Sequence, residues 1–489
     1  MWMRSDQMLR TQTVLGQILA RVADDDQYRR WMGQVDRAGY CVRPVQLAGS
    51  ATTVNAATGE VEASYSSSAE PGGVLLVACK DRRESVCPPC AARYRSDAWH
   101  VFAGGVSRAL PAPDSDAAGS PLVLATFTAP SFGRVHAARD GGVCRAARTG
   151  RRDGGRGTRV CEHGRPLGCP ARHTPGDGMV GAPLCTDCAD LAGLVLWNAH
   201  VGELWRRTVI YVYRALAALA PALGGRPVGV RQIRDLLRLS YVKVTEFQKR
   251  GVVHLHVLAR LDGVNPDDPD ALVPAPAWAG VELLTAALKQ AGARASVPLP
   301  VVDSRTAAMA RWGNQLDVRP VRASAVDGAR VAGYLAKYAT KTVSDSVSGL
   351  PASRPRGDDP DMAGARAIPA HVAALTDAVR RLARLATCRT LRLARHIHTL
   401  GFRGHVTSKS RRYSTTFAAL REERRAWRQA RARERDPWAH ERDDAQCVVV
   451  GDWRIAGIGY RTLGDRVLAE VLGREHRQAR EAQRLGLTA

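Results

Sequence analysis

The stretch Glu246-Phe-Gln-Lys-Arg-Gly-Val-Val-His254-Leu-His256 decides how this chain is read. It has the pattern of two strands joined by a tight turn at Lys249-Arg250-Gly251. Val242, Val244 and Glu246 share one parity before the turn, and His254 and His256 share one parity after it. Side chains alternate across a strand, so a turn centred on Arg250 sets Glu246 opposite His254 on the same face of the sheet. One carboxylate and two imidazoles then converge, with other coordination positions left open. A structural metal site is closed by its ligands, whereas a catalytic one keeps room for water or substrate. The expectation is one Mg²⁺ or Mn²⁺ held by Glu246, His254 and His256, the imidazoles shifting preference toward Mn²⁺. A second H-x-H, His396-Ile397-His398, lies beside Arg392 and Arg395 with no acid placed across a hairpin. It reads as structural or phosphate-contacting.

Outward from the hairpin, residues 122–128 (LVLATFT) form a buried-strand pattern ended by Ala129-Pro130. Residues 189–220 suggest a long helix, 281–290 a further helix, and 316–321 a strand. Residues 331–342, after Asp327-Gly328, form a helix that carries Tyr334-Leu-Ala-Lys337-Tyr338-Ala-Thr-Lys341. Tyr334 and Tyr338 are spaced i, i+4, as are Lys337 and Lys341, so each pair meets on a helix face. Alone, the two tyrosines would read as rings packed on a sheet. Beside a metal hairpin they read as nucleophiles. A phenol with a pKa of about 10 is weak at neutral pH. A nearby ammonium and a metal favour the phenolate, and Tyr338, with Lys337 adjacent and Lys341 one turn on, is the better placed of the two. Attack on a phosphodiester would give a phosphotyrosine ester, which conserves the bond energy and allows rejoining.

Composition points to a polyanionic partner. The 489 residues carry 71 basic and 47 acidic side chains, a net charge of +24. High-GC coding inflates arginine, but the seven lysines against 64 arginines are informative. Lys243, Lys249, Lys337 and Lys341 fall at the hairpin or on the tyrosine helix, where a compact point charge is useful. No apolar run is long enough for a membrane span, and residues 1–10 lack a signal core, so the cytoplasm is expected. No G-x-x-x-x-G-K-[ST] loop occurs, so DNA unwinding would need a separate helicase.

Eleven cysteines in a cytoplasmic chain favour metal over disulfides. Residues 133–183 are rich in Gly, Pro, Arg and Cys and read as an insertion held by structural Zn²⁺. Cys79 with Cys87-Pro-Pro-Cys90 forms one zinc group. Cys185-Thr-Asp-Cys188 forms a second, completed by Cys161 and Cys169, with Cys144, His163 and His173 as rivals. Cys41, Cys388 and Cys447 stand alone in the sequence and read as buried or incidental.

The motif set resembles the HUH endonuclease superfamily, and more closely the rolling-circle replication initiators of actinobacterial plasmids and integrative elements. The resemblance spans roughly 75–420. Ala125-Thr-Phe-Thr-Ala-Pro130 is similar to the family's first motif. Glu246…His254-Leu-His256 with Leu261-Asp262-Gly263 is similar to its metal motif, and Tyr334-x-x-Lys337-Tyr338-x-x-Lys341 to its two-tyrosine motif. Phe402-Arg-Gly-His405…Ser410-Arg-Arg-Tyr413-Ser is a further block of this subfamily, without an assigned chemistry. The resemblance implies an α+β fold: an antiparallel-sheet core with the metal histidines on a central strand and the tyrosines on a helix beside it. It implies a metal-dependent, site-specific DNA endonuclease and strand transferase that nicks single-stranded origin DNA, with a host helicase and polymerase as partners. A relaxase or single-strand transposase of the same chemistry, or a non-catalytic zinc-dependent DNA-binding regulator, are the alternatives. The expected organisation is an N-terminal helical segment and linker (1–72), the nickase domain (73–343) with its zinc-binding insertion at about 133–190, and a basic C-terminal region (344–489). Within these, 11–40 reads as helical, 49–72 as loop, 418–435 as a basic helix stopped by Asp436-Pro437, and the end from about 464 as a helix.

Overall fold

The computed structural model describes residues 13–110, 119–146, 149–152, 155–221, 226–304, 306–322, 324–341, 369–434 and 447–484. The expected boundary at 344–368, the Asp436-Pro437 stop and residues 1–10 lie outside the described residues. The chain begins with helices α1 (Val14–Val22) and α2 (Asp25–Arg37), then strands β1 (Val45–Asn55), β2 (Val61–Ser66) and β3 (Leu75–Val77) and helix α3 (Pro88–Ser107). Strand β4 (Leu122–Phe127) precedes helix α4 (Leu191–Leu219), strands β5 (Leu237–Phe247) and β6 (Val253–Gly263), and helix α5 (Val281–Arg294). Strand β7 (Leu316–Pro320), helices α6 (Ala325–Ala339) and α7 (Ala370–Arg384), and strand β8 (Thr407–Lys409) follow. The last elements are α8 (Phe417–Glu434), β9 (Cys447–Ile458) and α9 (Leu463–Arg484). The fold is α+β, with antiparallel sheets. No helix among the described residues is long and apolar enough to cross a membrane.

Two compact units form, Met1–Asp97 with Thr416–Ala489, and Ala98–Thr415. The first therefore combines residues from the N-terminal and the C-terminal parts of the chain. Its sheet runs β9-β1-β2, with β3 also paired to β1. Residues 49–72, expected as loop, are instead largely a β-hairpin paired along β9, from Val45↔Ile458 to Asn55↔Cys447. Thr52, Thr53 and Val54 are β-branched, and the Asn55 side chain accepts from the Ala57 and Thr58 N–H groups at the tip. The pattern reads as loop because β1 is small and polar and its partner lies at the far end of the chain. Trp31, Val35, Val74, Leu76 and Ala469 form a small core for this unit. The Asp465 carboxylate receives a two-pronged pair from Arg21, at 2.6 and 3.0 Å.

The second unit is built on the sheet β7-β4-β6-β5-β8, in which every neighbouring pair is antiparallel. Strand β6 sits at its centre. Its odd-numbered residues, Val253, Leu255, Val257, Ala259 and Leu261, join a large core with Leu196, Leu204 and Leu216 of α4 and Leu284 and Leu288 of α5. The even-numbered side chains therefore emerge on the opposite face, where α6 packs against β5. Helix α6 begins slightly earlier than expected, because the Ser324 hydroxyl accepts from the Asp327 N–H at 3.0 Å and caps it.

Candidate active site

The hairpin has the register expected from sequence: Glu246 pairs with His254 and Val244 with His256. The Glu246 Oε2 atom lies 2.6 Å from His254 Nε2 and 3.0 Å from His256 Nε2. The three donors are all within 4.8 Å of one another. One carboxylate oxygen and two imidazole nitrogens at this spacing suit a divalent cation. Burial alone would raise the Glu246 carboxyl. Hydrogen bonds and charge from His254 and His256 outweigh it and set its pKa at about 2. Burial lowers the pKa of His256, favouring the neutral ring that a metal needs.

Residues outside the motif hold these rings. His256 Nδ1 lies 3.2 Å from the Thr126 hydroxyl on β4, which gives the first sequence block a place in the site. Gln248 Nε2 lies 3.3 Å from His254 Nδ1, and Gln248 Oε1 accepts from Arg250 Nε at 2.8 Å. The turn itself is fixed by Asn198 of α4, which sequence reasoning missed. Its Nδ2 donates to the Gly251 and Leu400 carbonyls at 2.9 and 3.0 Å, and its Oδ1 accepts from the Val253 N–H at 3.1 Å. Gly251 has φ +81°, and a Cβ there would meet Leu375 and Leu400 methyls at 2.7 and 2.8 Å.

Helix α6 brings both tyrosines to this face. The His256 ring is stacked on Tyr338 at 4.9 Å between centroids and meets Tyr334 edge-on at 5.4 Å; the tyrosines are 4.9 Å apart. Tyr334 is exposed and Tyr338 half-buried, while Leu335, Ala336 and Ala339 fill the helix's buried side. Lys341 Nζ lies 4.9 Å from the Tyr338 centroid, over the ring, and Lys337 is exposed. The expectation that cations lower the Tyr338 pKa is corrected by this geometry. Burial, the hydrogen bond with Tyr334 and the Glu246 carboxylate raise it. Lys243 faces the helical core rather than the tyrosines, and burial lowers its pKa to about 8. Lys249 Nζ donates to the Pro175 carbonyl, tying the turn to the cysteine-rich insertion.

The late block is architectural in this structure. Beside β8 the Ser410 N–H donates to the Tyr241 carbonyl and the Ser410 hydroxyl accepts from the Tyr241 N–H at 2.9 Å, and Phe402 packs edge-on against Phe247 at 5.7 Å. Tyr413 is fully buried, donates to the Phe102 carbonyl at 3.1 Å, and lies under the Arg260 guanidinium. Arg260 pairs with Asp262 at 2.5 Å, and Asp262 accepts from the Ser240 hydroxyl at 2.5 Å. His396 and His398 sit on the 3-10 turn Leu393–Thr399, and no third donor joins them among the described residues.

The cysteines are grouped differently from the expectation. Cys41 is not isolated: it joins Cys79, Cys87 and Cys90. Cys161 does join Cys185 and Cys188, but with His163, whereas Cys169 belongs to a separate set with Cys144, His173 and the unforeseen His136. Loop crossings bring together residues far apart in the chain, so proximity in sequence misassigns Cys169. Cys388 is buried, in the helical core.

The chain is similar to known proteins over almost its whole length. The family "Replication initiator protein, pSAM2" matches residues 27–474. A replication initiator protein of Streptomyces ambofaciens is 39% identical over 488 residues, covering 96% of this chain and 95% of that protein. No solved structure matches. The chain belongs to the pSAM2 family of plasmid replication initiator proteins.

Proposed function

We propose that this replication initiator is an HUH-type nickase that cuts one strand at an origin and starts rolling-circle replication. The observation that carries this reading is the position of His256. Its ring borders Glu246 and His254 on one side and both tyrosines on the other, although the tyrosines are far away in sequence. Glu246, His254 and His256 would hold a single Mg²⁺ or Mn²⁺. When bound, that ion would polarise the scissile phosphate and offset the Glu246 charge that opposes ionisation of Tyr338.

Thr126 and Gln248 fix the imidazole orientations, and the hairpin and α6 hold nucleophile and metal donors on one sheet face. The Tyr338 phenol gives its proton to solvent, and its oxygen forms a bond to phosphorus. The bond from phosphorus to the 3′ oxygen breaks, and that oxygen takes up a proton. A 5′-phosphotyrosine link and a free 3′-OH result, the latter a primer for a host polymerase on a strand opened by a host helicase. Tyr334, in contact with Tyr338, provides a second nucleophile for the terminating transfer. Arginine-rich surface supplies affinity for the DNA backbone independently of the metal. The test is nicking of single-stranded oligonucleotides tiled across the replicon, with Mn²⁺ and with chelator. His254→Ala and His256→Ala should lose nicking and keep duplex binding. Full nicking by the double variant would remove the metal assignment.

A further inference from the structure

We infer that the chain carries three structural zinc ions, each in a closed four-ligand site: Cys41/Cys79/Cys87/Cys90, His136/Cys144/Cys169/His173, and Cys161/His163/Cys185/Cys188. This is independent of the nickase reading and uses nine of the eleven cysteines.

Ligand-to-ligand edges carry the inference. A tetrahedral ion with Zn–S near 2.3 Å and Zn–N near 2.0–2.1 Å requires S···S edges of about 3.8 Å, S···N of about 3.5 Å and N···N of about 3.3 Å. In the first site, Cys41–Cys87 and Cys79–Cys90 are both 3.7 Å apart. In the second, Cys144 Sγ–His136 Nδ1 and Cys169 Sγ–His173 Nε2 are 3.7 Å, and His136 Nδ1–His173 Nε2 is 3.2 Å. In the third, His163 Nδ1–Cys188 Sγ is 3.3 Å. A disulfide needs about 2.05 Å, so none of these sulfur pairs is one, and all the cysteines are free thiols.

The surroundings are those of metal thiolates. Backbone N–H groups of Cys79 and Ala137 point at the sulfurs of Cys41 and Cys144, at 3.3 and 3.2 Å. His173 turns Nε2 to the cluster and Nδ1 to the Asp177 carboxylate at 2.5 Å, the partner that a zinc-bound histidine ordinarily has. Each site ties segments with little apolar content. The first pins the chain before β1, the end of β3 and the start of α3. The second draws the strand-like residues around His136 onto 173–182, where Gly181 presses against the Lys249 backbone so closely that a Cβ would lie 2.4 Å from its carbonyl carbon. That ion thus steadies the tip of the metal hairpin. The four-ligand closure leaves no position for substrate, so the role is structural.

The experiment is metal analysis and zinc X-ray absorption on untagged full-length protein, expressed with zinc and purified without chelator. Three zinc ions per chain are expected, with an average shell of three sulfurs and one nitrogen. Cys41→Ser, Cys144→Ser and Cys185→Ser should each lower the count by one. Two or fewer ions in the native chain, or an average shell of two sulfurs and two nitrogens, would overturn the assignment. The native measurement decides even if a variant fails to fold, and it reads metal content whether or not the protein nicks DNA.

Discussion

Replacing Asn198 by leucine tests how the hairpin is held. The side chain is fully buried and makes three hydrogen bonds, to the Gly251 and Leu400 carbonyls and from the Val253 N–H. Leucine has nearly the same volume, so it leaves no room for a water to replace them. Each buried group left unpaired costs about 1–3 kcal/mol, so losing three partners in Asn198→Leu should weaken the turn by about 3–9 kcal/mol. Two of the three groups, the Gly251 carbonyl and the Val253 N–H, lie on the turn and strand leading into His254, so the loss is local to that hairpin. Hydrogen exchange followed by mass spectrometry reads it directly. At 1.4 kcal/mol per factor of ten, peptides covering 248–256 should exchange at least on the order of a hundredfold faster, while those from α5 change little. Activity should fall with it, as His254 loses its fixed position. A change of less than tenfold in that segment would show that other contacts fix the hairpin and refute the reasoning.

Other substitutions probe the remaining parts. Tyr338→Phe should abolish the covalent DNA adduct in a single turnover and Tyr334→Phe mainly the second transfer, as gel analysis of adducts would show; the reverse pattern would exchange their roles. Thr126→Val, which removes the hydroxyl beside His256, should weaken Mn²⁺ binding about 10- to 100-fold in a calorimetric titration, and unchanged affinity would exclude this orienting contact. Lys243 has a folded pKa of about 8 against an ordinary 10.5, so the unfolded chain binds more protons between these values. Stability should therefore rise from pH 8 to pH 10.5, and Lys243→Met should remove that slope and gain up to about 3 kcal/mol at pH 7, measured as denaturation midpoints; an unchanged slope would contradict it. Gly105→Ala places a Cβ 2.0 Å from the Tyr413 ring and should cost at least 1–3 kcal/mol, so an unshifted thermal midpoint would count against the packing described.

The hairpin is legible in the sequence because everything that specifies it is local: period-two alternation, a glycine at the turn, and a carboxylate and imidazoles at matching parity. The tyrosine helix is legible for a similar reason, its i, i+4 spacing. What escaped reading depends on distant segments. Strand β1 resembles a loop until β9 pairs with it, and Cys41 looks solitary until β3 and α3 bring three more thiols. His136 has no metal-like spacing to any neighbour, and Asn198 is one of several polar residues in a long helix, with no local pattern to single it out. The phenol pKa is not legible from the lysines nearby in sequence, because burial and the groups around the hydroxyl raise it. Lys341 lies over the ring face, while burial, Tyr334 and Glu246 act on the hydroxyl.

The most direct measurement is to trap the protein on cleaved single-stranded origin DNA in Mn²⁺, digest it, and locate the nucleotide-bearing residue by mass spectrometry. The account predicts a 5′-phosphate on Tyr338, or on Tyr334 when Tyr338 is replaced by Phe, and no adduct once both are Phe. A denaturation-resistant adduct persisting in the double Phe variant, or one mapped to a residue outside α6, would contradict it.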